Sequence, residues 1–171
     1  LDPRTEYNMK DLVERRKQSL TFIKKSNLLT SARTQLTSTA ASLEVISKQL
    51  PKGRSEEVRE LRAKTTAMQD SIKAMQAILT PPTDPKAQGI TRRVSGLQGK
   101  VQMAQRALSS GSGPITGTQK TTVAIAEKEL IVFLDKVNAF FTNEWPEYKD
   151  FIEESSISFF NEKEFKPLII K

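Results

Sequence analysis

The chain has 171 residues, no cysteine and no histidine, and its 27 basic against 20 acidic residues leave a net charge of +7. That length fits one domain with its own core. The missing residue types exclude disulfides, Cys/His zinc sites and any Ser-His or Cys-His nucleophile pair.

The chain starts at Leu1 rather than Met, and residues 1–7 read as a linker from an upstream domain of a longer protein. Asn8, with Asp11 three residues on, resembles a helix-capping pair. From Met9 to Gln49 there is neither Gly nor Pro, and Leu29, Leu36, Leu43 and Leu50 recur every seven residues with Ala32, Ala40 and Ile46 between them. This is one apolar stripe. Met9, Leu12, Val13, Leu20 and Ile23 are expected to continue it upstream, less regularly. The helix ends at Pro51-Lys52-Gly53-Arg54.

Ser55 offers the next cap. Val58, Leu61, Thr65, Met68, Ile72, Met75 and Leu79 then alternate in spacings of three and four, the cleanest seam in the sequence. The Pro-rich run Thr80–Pro85 stops it. A third helical pattern follows in Ile90, Val94, Leu97, Val101, Ala104 and Leu108, with Gly96 and Gly99 inside it. Each internal Gly weakens a helix by about 1 kcal/mol relative to Ala, so close approach to a neighbouring helix is the expected reason for them. Ser109–Gly113 reads as a loop. The fourth pattern starts near Thr118 with Val123, Ala126, Leu130, Phe133, Val137 and Phe140, and Trp145-Pro146 interrupts it before a short continuation over 146–154.

The fold expected from these elements is all-α. It is an elongated antiparallel up-down bundle of four main helices with a very long first helix, covering residues 8–154. Residues 155–171 are expected to pack on it as an extended tail. Short connections make consecutive helices antiparallel. On that basis the second helix covers the later half of the first, the third returns, and the fourth with its extension covers the early half. Nine of the eleven aromatics lie between Phe133 and Phe165, and they are expected to fill the end where only two helices and the tail are present.

Charge is also uneven: residues 1–110 hold 20 basic and 10 acidic groups, and residues 111–171 hold 7 and 10. Arg15-Arg16-Lys17, Lys24-Lys25 and Arg92-Arg93 could face nucleic acid or another anionic polymer. Phe22 is the one aromatic among the first two clusters and none adjoins Arg92-Arg93, so a solvated helix face is the favoured reading and nucleic acid a disfavoured partner. The Ser110–Gly113 loop before a helix has the outline of a phosphate cradle, but no Gly-Lys-Ser/Thr follows and a plain linker is expected. Glu127 with Glu129, and Glu153 with Glu154, are the nearest carboxylate pairs, and neither spacing faces one residue toward the other on a helix. The chain is therefore expected to be non-enzymatic, with no catalytic residue, no cofactor and no metal. Trp145, Tyr148, Phe159 and Phe160 are the candidate partner surface, because aromatics concentrate at interface hot spots. Core packing at the bundle's two-helix end is the favoured reading. An early half of the first helix without a partner would also suit a coiled-coil-like oligomer. No apolar run approaches the roughly 20 residues needed to cross a bilayer.

The order of features resembles the C-terminal region of large bacterial sortilin-like proteins with neuraminidase-type repeats, often labelled glycosyl hydrolase. The resemblance rests on Leu1-Asp2-Pro3-Arg4 ahead of a helix with Asp11-Leu12, and on a Ser/Gly loop after a helix like Val94–Leu108. A last helix like Leu130–Phe141 then runs into Trp145-Pro146-Glu147-Tyr148. It implies a parent exported to the periplasm or cell surface, with β-propellers upstream and this chain as the C-terminal helical domain. The partner would then be the upstream β-domain or another protein. The propeller signature Ser-x-Asp-x-Gly-x-Thr-Trp is absent here, so no catalytic residue carries over.

Overall fold

A computed structural model of the chain describes residues 8–51, 53, 55–82 and 95–155. The expected linker over 1–7, the tail beyond 155, and the residues Ile90, Arg92, Arg93, Val94, Phe159 and Phe160 lie outside the described residues. The described residues are all-α, in the order α1 (Met9–Gln49), α2 (Glu56–Leu79), α3 (Leu97–Ser109), α4 (Gly117–Ala139), a π-helical turn (Phe140–Glu144) and α5 (Trp145–Glu154).

Local chemistry sets the ends. The Asn8 side chain accepts from the Lys10 amide at 3.0 Å, and Ser55 accepts from Val58 at 3.4 Å. Thr116 and Gln119 form a complete capping box at the start of α4. With 41 residues, α1 is about 60 Å long at 1.5 Å per residue. Its buried seam is Arg15, Phe22, Leu29, Leu36, Leu43 and Leu50. The leucine heptad thus continues upstream through Phe22 to a charged residue. Of the residues expected to continue the stripe, Met9, Val13, Leu20 and Ile23 are exposed.

Cross-helix contacts give each element a direction. Gln69 donates to the Leu43 carbonyl at 3.4 Å, so α2 runs down the later half of α1. Gly96 then lies against the last carbonyls of α2. A Cβ there would sit 2.3 Å from the Leu79 oxygen, so only glycine allows the approach. Further on, Gln105 donates to Ser26 at 2.8 Å, and Arg15 reaches the Leu108 carbonyl at 3.2 Å. α3 therefore continues in the direction of α2, down the early half of α1. α4 turns back: Lys100 meets Glu129 at 2.5 Å and Lys25 meets Glu127 at 2.9 Å. It runs antiparallel to α3 and parallel to α1 until α5 meets α2 through Tyr148 and Thr65.

The architecture is therefore three columns: α1, then α2 followed by α3, then α4 followed by the π turn and α5. This corrects the expected up-down-up-down path. The connection between α2 and α3 spans residues 80–96, too long for the short-loop rule to force reversal. The early half of α1 has partners in α3 and α4, which removes the reason for expecting an oligomer there. The aromatic end faces α2, not the early half of α1.

Pro146 explains the π turn. Proline has no amide hydrogen, and its ring clashes with the carbonyl four residues back. The helix widens there, and the Trp145 amide donates to Phe140, five residues back. Phe140 stacks edge-on with Phe141 at 5.2 Å, and Trp145 sits between Phe140 and Tyr148 at 6.5 and 5.7 Å.

Leu36 is fully buried where α1 meets the other columns. Leu36→Ala should lower stability by about 2–5 kcal/mol, read as a drop in the urea midpoint with the slope unchanged.

Candidate functional site

The most elaborate polar site belongs to Arg15, which is only 7% exposed although it was expected on a solvated face. Its position is set by the heptad of α1, seven residues before Phe22. There the guanidinium meets the open C-terminal end of α3, whose last carbonyls have no partner within the helix. Nη1 donates to the carbonyls of Ala107 (3.3 Å), Leu108 (3.2 Å) and Ser110 (2.8 Å). Nε donates to Gly113 at 3.0 Å, and Nη2 to Pro114 at 3.1 Å and the Gln119 side-chain oxygen at 3.2 Å. Six acceptors share five N–H groups, so at least one hydrogen is bifurcated. A planar fork can satisfy such a ring of acceptors, where an ammonium offers three donors from one point. The positive charge also lies at the negative end of the α3 dipole.

Gln119 joins this site to α4. Its side-chain oxygen accepts from Arg15 and from the Thr116 amide at 3.0 Å. Gly111 supports the turn between the helices with φ +94°, a conformation that favours glycine. The loop is thus neither a phosphate cradle nor a plain linker. Its carbonyls face inward around a cation, the opposite polarity to an anion site, whose amides would face the ligand.

The other sequence-selected residues disperse. Glu127 and Glu129 pair with different columns, through Lys25 and Lys100. Glu153 and Glu154 are exposed. Of the basic clusters, Arg15 is buried and Lys25 is paired, while Arg16, Lys17 and Lys24 are exposed. Tyr148, weighed between a partner surface and the core, is 2% exposed. Its hydroxyl lies 2.9 Å from Thr65 Oγ1, which itself donates to the Leu61 carbonyl at 2.7 Å. Tyr148 is therefore the donor, and a core residue; Trp145 is half-buried beside it. Lys64 lies 3.4 Å over the Phe151 ring, a cation–π contact across α2 and α5. Among the described residues no group of three or more acidic side chains could hold a metal ion. A shallow apolar cleft of about 380 Å³ separates the end of α2 from α4, lined by Ile78, Ile125, Val132 and Phe133 with Lys128 and Lys136. The Arg15 site and the Ser26–Gln105 bond were missed from sequence. Projecting the leucine heptad back past Leu29 would have found Arg15.

No protein-family model, no curated protein and no solved structure matches this chain.

Two predictions follow from these contacts. Arg15→Met strands at least two inward carbonyls, each worth about 1–3 kcal/mol. It should cost about 3 kcal/mol or more by urea unfolding, with faster amide exchange over 110–115, and Arg15→Lys should recover only part. The second concerns pH. Burial raises the Tyr148 pKa above its ordinary 10.0. The folded state therefore holds this proton more tightly. The contribution to stability is complete below the unfolded pKa and is lost as pH rises through the folded one. Tyr148→Phe should flatten that alkaline fall, measured as the difference between wild-type and variant urea midpoints across the alkaline range.

Proposed function

We propose that this chain is a non-enzymatic helical module with a structural and interaction role, forming the C-terminal domain of a larger exported protein with β-propellers upstream. The Arg15 clamp carries the reading. It ties the first column to the end of the second and the start of the third through backbone carbonyls. Those are the groups whose positions cannot relax by side-chain rotation. The clamp lies two turns from Asn8, where residues 1–7 lead in, so a load arriving there is shared among α1, α3 and α4. The continuous heptad seam then carries it along about 60 Å of α1. Such a body suits bracing a neighbouring domain or presenting a face to a partner.

Chemistry has little support from the side chains. Glu127 and Glu129 are separately ion-paired, and the buried cation is spent on carbonyls. The basic-module alternative loses Arg15 and Lys25 to internal contacts. No described helix is long and apolar enough to cross a membrane.

The test is purification of the 171-residue chain followed by assay on aryl glycosides and esters. The expected result is no turnover above a buffer control. Hydrolysis that disappears in a single carboxylate variant such as Glu129→Gln would overturn the reading.

A further inference from the structure

The early half of α1 carries a second seam that no column covers. Met9, Val13, Leu20 and Ile23 are between 38% and 69% exposed. Their spacings of four, seven and three place them within an arc of about 80° at 3.6 residues per turn. That arc lies about 125° round the helix from Arg15, Phe22 and Ser26, the residues facing the core. Arg16 falls within the stripe, and Lys10, Lys17 and Lys24 recur every seven residues along one side of it. All four cations are exposed, and none forms an ion pair among the described residues. The acids of this half-helix, Asp11 and Glu14, lie off the stripe, and Glu14 is engaged by Gln18 at 2.8 Å.

We infer that this face of α1 docks on an anionic lipid surface. The inference rests on the interaction role proposed above and names its target. Charge selects the occupant. Arg16 is the midpoint of the stripe, so a second copy centred on it would oppose Arg16 with Arg16, whether parallel or antiparallel. Nucleic acid would meet the cations but leave four apolar side chains against phosphates, with no ring to stack on a base. A bilayer interface supplies both partners at once. Its phosphates take the lysine row, and its acyl boundary takes the Met, Val, Leu and Ile side chains. The stripe is about 21 Å long.

The test is flotation of the full 171-residue chain with vesicles of phosphatidylglycerol and phosphatidylcholine, against phosphatidylcholine alone. Binding should require the anionic lipid and fall steeply with salt. Lys17→Ala with Lys24→Ala should weaken it about thirtyfold, at about 1 kcal/mol per cation near the surface. Val13→Ser with Leu20→Ser should abolish it, while circular-dichroism melting of both variants matches wild type because these side chains are exposed. Equal binding to both vesicle types, no flotation at low salt, or variants that float like wild type would overturn the inference. So would binding of duplex or single-stranded DNA that the Val13/Leu20 variant leaves intact, or a sedimenting dimer that this variant dissolves. Glycoside or ester hydrolysis would end the structural reading without moving the vesicle result, so the two failures are distinct.

Discussion

A helix end that points inward must have its carbonyls satisfied, and in this chain the end of α3 and the loop after it turn theirs toward one guanidinium. Everything in the lower half of the bundle depends on that pairing. The hairpin between α3 and α4 closes around it, Gln119 of the capping box leans on it, and α1 is held in register by it. The burial of Arg15 follows from the same constraint. A cation in such a place is costly unless each donor has a partner, and here the acceptors outnumber the donors.

The sequence asymmetry in charge has a local counterpart. Lysines of α1 and α3 meet the glutamates of α4, Lys25 with Glu127 and Lys100 with Glu129. Each pair is partly exposed and contributes little stability. Their value is geometric: one acidic strip lies between two basic columns, which favours a single rotation of α4.

The apolar seams were legible because they follow one period. Val58 through Leu79, Leu97 through Leu108 and Ala126 through Phe140 are the core-facing residues in the structure, as their spacing predicts. Two features were not legible, for different reasons. Arg15 occupies a seam position, but a charged residue reads as solvent-facing when its partners are backbone atoms some 90 to 100 residues away. The direction of α3 was hidden because an apolar seam fits a column equally well running up or down. Gly96 held the clue. Its expected close approach to a neighbouring helix is there, against Leu79 of α2, but at the cap where α3 stacks on the end of α2 rather than inside a helix.

The widened turn before Pro146 sets which side of the last helix faces inward. Counting on from Phe133, Val137 and Phe140 in unbroken helical steps, the next inward places would be Glu144, Glu147 and Phe151. The extra residue in the turn advances the phase, and the inward places become Trp145, Tyr148 and Ile152, which pack on the core while Glu144 and Glu147 stay in solvent. In reading-frame terms the turn acts as a one-residue frameshift of the helical phase. The acidic and aromatic residues after it are written in the shifted frame, so closing the turn into regular α-helix with every residue kept would bring Glu144 and Glu147 round to the inward places.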